Sequence, residues 1–272
     1  MTPLTFQGTS VKSHKICTTL AAALLAGSAW ANPVSTTVDF SDGMQDWRGD
    51  GVGHMAGSGI DTVLGDGSPS FHAIGTNSAF QFKTFVNQSF LGDYTTSKSL
   101  TISIDVTVAE LAIGGPGGQP LAQDFVLELR DYDKPSPQQA YSSVWYKLGT
   151  IGDGFPMTQH FSVTIDDTSS NLLPAGWGGF GDYDQMGNTV LPYGQTFRRI
   201  LKDVDQIQFG TEVPGYFYGA EQYYNLSVDN VSISAVPEPT SALMLGSGLA
   251  LLGWTAARRR KATVAAPAAS LA

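Results

Sequence analysis

The sequence predicts an all-β protein, an antiparallel jelly-roll β-sandwich, preceded by a signal peptide and followed by a single transmembrane helix. Three observations lead there. Short runs of alternating apolar and polar residues recur through the middle of the chain, glycine and proline fill the gaps between them, and the long apolar stretches lie at the two ends. The 272 residues include 31 Gly and 14 Pro but only 14% charged residues, which suits short strands joined by turns better than surface helices. The chain is long enough for one β domain with a substantial core.

The amino end reads as an export signal. Lys12, His14 and Lys15 precede the apolar run "LAAALLAGSAWA", which is too short to span a bilayer. Ala29 and Ala31 place small residues at the first and third positions before a cut, so signal peptidase is expected to act after Ala31, leaving Asn32 as the mature start. Cys17, the only cysteine, lies inside the removed segment. The mature chain therefore has no disulfide, no thiolate metal site and no cysteine nucleophile.

The body alternates. "LTISIDVTV" places Leu100, Ile102, Ile104, Val106 and Val108 on one face and Thr101, Ser103, Asp105 and Thr107 on the other, the period of a half-buried strand. Comparable runs begin at Ala79, Asp124, Ser143, His160, Asp205 and Leu226, and "TVDFSDGMQDWRGDG" opens the domain. Turn residues separate them, notably in "GGPGGQP" at 114–120 and "PAGWGGFGDYDQMGN" at 174–188. In the last run Leu226 and Val228 share one parity while Val231 and Ile233 share the other. One extra residue near Asp229–Asn230, a β-bulge, would reconcile them. About eight antiparallel strands in some 200 residues imply two stacked sheets.

At the carboxyl end, Val236, Pro237, Glu238 and Pro239 precede 17 uncharged residues from Ser241 to Ala257. As a helix these cover roughly 25 Å, slightly less than a hydrocarbon core of about 30 Å. Arg258, Arg259, Arg260 and Lys261 follow at once, and such a cluster stays cytoplasmic, leaving the body outside. The order of these parts resembles the PEP-CTERM sorting signal of exosortase substrates in Gram-negative bacteria. That resemblance implies recognition of Pro237, Glu238 and Pro239 by a membrane-embedded cysteine transpeptidase, then surface attachment or release. The expected divisions are a signal peptide at 1–31, a sandwich ectodomain at 32–235, the sorting signal at 236–261 and a cytoplasmic tail at 262–272.

The opening "TVDFSDGMQDWRGDG" and the closing "LSVDNVSIS" resemble the first and last strands of secreted jelly rolls of the carbohydrate-binding-module and galactose-binding type. Such domains often fasten those strands with calcium, which implies a structural calcium site at Asp39, Asp42 and Asp229. A second candidate is the loop of Trp177, Phe180, Asp182, Tyr183 and Asp184, whose rings and carboxylates suit stacked sugars or calcium. The same rings would also simply pack over a sheet edge, the reading favoured here. As an EF-hand the loop fails, because Met186 occupies a ligand position and Tyr193 stands where the closing glutamate belongs.

Charge and motif content narrow the function. Between Asn32 and Pro239 nine Lys/Arg oppose all 24 Asp/Glu, a balance of 9 − 24 = −15, which excludes nucleic acid as a partner. Glu128 faces away from Asp131 and Asp133 on a regular strand, and His54, His72 and His160 are scattered without a zinc-protease pattern. The expectation is a non-enzymatic protein that meets signal peptidase and exosortase during export. Its course runs from an inner-membrane intermediate to the cell surface or extracellular polysaccharide matrix, with a structural or adhesive role. The alternatives are a glycan-binding module and, behind it, a polysaccharide-degrading enzyme.

Overall fold

A computed structural model describes residues 34–49, 58–133, 135–152, 157–216 and 221–237. The signal peptide, its cleavage site at Ala29 and Ala31, the expected membrane helix and the basic cluster Arg258–Lys261 lie outside the described residues. So do Glu238 and Pro239. Among the described residues no helix is long and apolar enough to cross a membrane.

In chain order the strands are β1 (Val34–Val38), β2 (Arg48–Gly49), β3 (Gly59–Asp61), β4 (Ser70–Asn77), β5 (Gln81–Thr84), β6 (Ser97–Ile113), β7 (Gln119–Pro120) and β8 (Ala122–Asp131). They continue with β9 (Ser142–Gly152), β10 (Thr158–Ile165), β11 (Trp177–Phe180), β12 (Asp182–Tyr183), β13 (Thr189–Val190), β14 (Gln206–Gly210) and β15 (Gln222–Pro237). Among the described residues a 3-10 turn (Tyr94–Thr96) and one short α-helix, α1 (Phe197–Leu201), interrupt them, with the Thr196 hydroxyl accepting from the Arg199 amide at the start of α1.

The strands form two large antiparallel sheets. The first runs β10-β6-β15-β4-β3, with β1 also on β15 and β7 on β6; the second runs β11-β9-β8-β14-β5-β2. β12 and β13 make a separate hairpin. This is the expected antiparallel sandwich, and its inner faces meet through aromatic rings. Phe71 of the first sheet lies 5.3 Å from Phe82 of the second, and Phe161 lies 5.1 Å from Phe125. Trp47 stacks on Phe82 at 5.0 Å and meets Phe90 edge-on at 5.1 Å. These large buried rings substitute for disulfides as the source of cohesion.

β6 and β15 are the longest strands and pair with each other along most of their length. Leu100, Ile102, Ile104 and Val106 of β6 point into the core, as their alternation requires. In β15 both parity sets are buried: Leu226 and Val228 before the kink, Val231 and Ile233 after it. Asp229 pairs with Asp105 and Ser232 with Ser103, so three steps on β15 match two on β6, and the bulge falls where the sequence places it. Asn230 takes φ 49° there, and its side-chain amide donates to Asp105 Oδ2 at 2.9 Å. The bulge also divides the neighbours, since β4 pairs with Gln222–Val228 and β1 with Val231–Ala235.

Among the strands that lack a clear sequence signal are β4 and β11. β4 carries buried His72 on its outer face, which breaks the alternation. β11 is the "WGGF" stretch that reads as a loop. Its glycines serve close packing instead, because a Cβ on Gly178 would lie 2.2 Å from the Trp145 ring. The left-handed backbone at Asn230 yields a direct test. Asn230→Val should lower stability by about 1–2 kcal/mol in urea unfolding, because a branched side chain resists this conformation. Asn230→Gly should cost less than the valine variant, and a valine variant as stable as wild type would contradict the assigned backbone.

Candidate functional site

The sorting signal begins inside the sheet. Val34 opposite Ala235 opens the β1–β15 ladder, while Val236 lies opposite Ser99 and Pro237 opposite Ser97 of β6. The register slips between Val236 and Pro237, where proline offers no N–H to the ladder. No separate linker stands between the last strand and the Pro-Glu-Pro sequence. The residue expected to start the recognition stretch, Val236, is 40% exposed at the strand end.

A second feature is polar and lies on the core-averted face of the six-stranded sheet. One register row crosses it: Gly178, Trp145, Glu128, Gln208, Lys83 and Arg48. Glu128 is buried, accepting from the Ser143 hydroxyl at 2.6 Å and from Arg130 Nη2 at 2.6 Å. The Arg130 guanidinium sits 4.4 Å above the Tyr141 ring. Burial opposes its charge, but Glu128 beside it outweighs this and raises its pKa. Burial, then Glu128, also pushes the Tyr141 phenol well above its ordinary value. A buried ion pair of this kind is costly to break.

Beside this row the face opens into a hollow of about 460 Å³, lined by Phe85, Tyr132, Asp133, Asp205 and Gln206. The rings of Phe85 and Tyr132 are exposed, and Arg48 lies 4.0 Å over Phe85. Tyr132 donates its hydroxyl to Gln206 Oε1 at 3.1 Å, and its amide donates to Asp205 Oδ2 at 2.7 Å. Flat apolar faces beside anchored amide and carboxylate oxygens can stack and hydrogen-bond a polyhydroxylated ligand. Sequence reasoning missed this hollow, because its residues follow or belong to three strands far apart in the chain.

The expected aromatic loop is arranged differently. Trp177 is 8% exposed and packs into the core against Tyr146 and Phe197, so its face is not open to a sugar. Phe180 is buried against Tyr141. Tyr183 alone of the three rings is exposed. Asp182 accepts from the Tyr183 amide, and Asp184 accepts from Met186 N, Asn188 N and Asn188 Nδ2, a loop-internal network that lowers its pKa. Edge packing therefore accounts for Trp177 and Phe180.

Of the carboxylates expected to share calcium, Asp39 and Asp229 accept hydrogen bonds from neighbouring groups. Asp39 accepts from the hydroxyl and amide of Ser41, which lowers its pKa. Asp42 is exposed in the following turn. Asp229 accepts from Ser68 Oγ at 3.0 Å and from the Asn230 amide at 2.7 Å, with Asp66 and Asp105 nearby. Among the described residues no group of three His, Cys, Asp or Glu side chains is placed to hold a metal ion. On the same outer face His72 bridges Asp61 Oδ2 and Asn225 Oδ1, each at 2.7 Å, and His160 meets Asp105 Oδ1 at 2.6 Å.

Two predictions follow from these charges. Removing one member of the buried pair, as in Glu128→Ala, should destabilise by about 3–5 kcal/mol in denaturant unfolding, and Glu128→Met with Arg130→Met by much less. Equal losses would contradict the pairing. Burial, with Asp66 and Asp105 adding to it, raises the Asp229 pKa. The folded state then binds the proton more tightly than the unfolded one, so stability falls as pH rises from the unfolded carboxylate value of about 3.9 through the raised folded value. Asp229→Asn should accordingly be more stable than wild type at neutral pH, and the gain should vanish in acid. A loss at neutral pH, reproduced in wild type by a chelator, would instead make Asp229 a calcium ligand.

The chain resembles solved structures that include the CBM22-1 and GH10 modules of a Clostridium thermocellum endo-1,4-beta-D-xylanase complexed with xylohexaose, at 11% identity and TM-score 0.41. The match covers 73% of this chain and 28% of that one, so this chain spans less than a third of the xylanase modules. A xylan-binding domain from Paenibacillus barcinonensis matches at 13% identity and TM-score 0.39, over 74% of this chain and 98% of that one. A Caldicellulosiruptor saccharolyticus module in complex with mannohexaose matches at 13% identity and TM-score 0.32, over 74% and 96%. No curated protein sequence matches the chain. Residues 235–261 match the family model described as the PEP-CTERM protein-sorting motif, which starts on the last residues of β15 and ends with the basic cluster. At its carboxyl end, then, this protein carries a PEP-CTERM sorting motif fused without a spacer to the closing strand of a β-sandwich.

Proposed function

We propose that this protein is exported, held in the inner membrane by its carboxyl tail, and sorted by an exosortase to the cell surface or extracellular polysaccharide matrix, where the sandwich has a structural or adhesive role without catalysis. The observation that carries this reading is the sorting motif at 235–261, complete with apolar stretch and cations. A folded body ending directly on such a motif is delivered as a unit, and its net −15 between Asn32 and Pro239 suits a soluble surface among hydrated polymers. Intact-mass measurement of the native extracellular product tests the proposal. The expected chain begins at Asn32 and lacks the residues from Ser241 onward. Full-length polypeptide dissolved inside cells would overturn it.

A second reading, a glycan-binding module, is favoured by the hollow beside Phe85 and Tyr132. The test is a glycan array probed with the mature product. Specific binding abolished by Phe85→Ala with Tyr132→Ala supports the module, and silence across the array supports the structural role. Trp177→Ala does not serve here, since a buried Trp→Ala costs about 3–5 kcal/mol and would report on folding.

A further inference from the structure

The end of the sandwich at which the chain leaves for the sorting signal carries a continuous rim. Thr168 donates its amide to Lys98 O and its hydroxyl to Ser97 O, tying the 166–176 loop to the start of β6, opposite Pro237. Asn171 in that loop accepts from the Phe197 amide through its carbonyl and from the Thr196 hydroxyl through its side chain, which ties the loop to α1. Arg199 in turn donates to Gly194 O at 2.6 Å and holds the 192–195 turn. The rim thus runs from the chain exit to α1 through fixed contacts.

Its exposed side chains have a distinctive composition. Tyr193 is 105% exposed and Leu172 78% exposed, although both stand on anchored turns. Lys98, Arg198, Arg199 and Lys202 are exposed around them, four of the nine cations between Asn32 and Pro239, interspersed with the exposed carboxylates of Asp166, Asp167 and Asp203. Asp167, which feels the Arg198 charge, already accepts from the Ser169 amide and hydroxyl. Tyrosine and long cationic side chains settle at a membrane–water interface, and an exposed leucine beside them supplies apolar surface to bury beneath the headgroups.

Covalent reach bounds the distance between Pro237 and the apolar stretch before processing. Only Glu238, Pro239 and Thr240 separate Pro237 from the uncharged stretch that starts at Ser241. Four fully extended steps span at most about 14 Å, while each headgroup layer is about 5–8 Å thick. With the apolar stretch inserted, Pro237 is thus tethered within about 6–9 Å of the outer edge of the headgroups.

We propose that this rim is a lipid-docking surface of the unprocessed protein, in which Tyr193 and Leu172 enter the headgroup layer and Arg198 and Lys202 meet lipid phosphates. Docking holds the sandwich in one orientation and presents the Pro-Glu-Pro segment at the depth where a membrane-embedded enzyme works. The inference rests on the membrane-held precursor proposed above.

Full-length precursor with Cys17→Ala, reconstituted in phosphatidylethanolamine–phosphatidylglycerol vesicles, tests it. A fluorophore is placed on Leu172→Cys, on Tyr193→Cys as a second rim position, or on Pro116→Cys at the opposite end of β6, and a headgroup-attached quencher is added. Several-fold stronger quenching at 172 and 193 than at 116, reduced by Arg198→Glu with Lys202→Glu while flotation with vesicles is unchanged, is the expected result. Floating precursor with equal quenching at both ends, or rim quenching untouched by the charge reversal, overturns the docking surface alone. Precursor that does not float overturns the membrane-held reading together with it.

Discussion

The ladder between β6 and β15 is the constraint on which the rest of the molecule depends. β15 is flanked by β6 on one side and by β4 and β1 in succession on the other, so the last described strand is an interior strand of its sheet. Its pairing closes the contacts of highest sequence separation, such as Val34 with Ala235. The bulge at Asp229–Asn230 lets one strand serve two neighbours while keeping Val228 and Val231 both turned inward. Without that extra residue the second half of β15 would turn Val231 and Ile233 away from the core.

The same ladder couples the fold to sorting. Ala235, the first residue of the sorting motif, pairs with both Val34 and Leu100, and Leu100 in turn with Ile165, so the motif starts where the sheet is still four strands wide. Pro237, the last described residue of β15, offers no N–H to the ladder and stands four residues after the buried Ile233. Folding of the sandwich and positioning of the motif are thus consequences of one set of backbone hydrogen bonds. The two outer faces differ in character: the first sheet carries networked carboxylates and histidines, whereas the second buries a Glu–Arg pair beneath aromatic rings. The second face, with its rings and its hollow, has the chemistry to hold a ligand.

Legibility in the sequence followed the physics of each element. β6 could be read because its outer face is polar and its inner face apolar without exception over Leu100–Val108. The bulge in β15 could be read because a parity change has one economical cause. β4 could not, because His72 is buried away from the core by its bonds to Asp61 and Asn225, contacts spanning up to 153 residues. In β11 glycine signalled a turn but was required by the Trp145 ring. Trp177 illustrates the limit at the candidate site: among glycines and aspartates it suggests an exposed platform, and only the pairing of β11 with β9 turns it inward. The hollow at Phe85, Tyr132 and Gln206 exists only through strand order, which no local pattern encodes.

Hydrogen exchange of the intact precursor tests the central claim most directly, that β15 is an interior strand fixed up to the edge of the sorting motif. Amides of Leu226–Ala235 should exchange as slowly as those of Leu100–Val108, with protection ending abruptly after Val236. Fast exchange across Leu226–Ala235 while Leu100–Val108 stays protected would contradict it, and would detach the sorting signal from the fold.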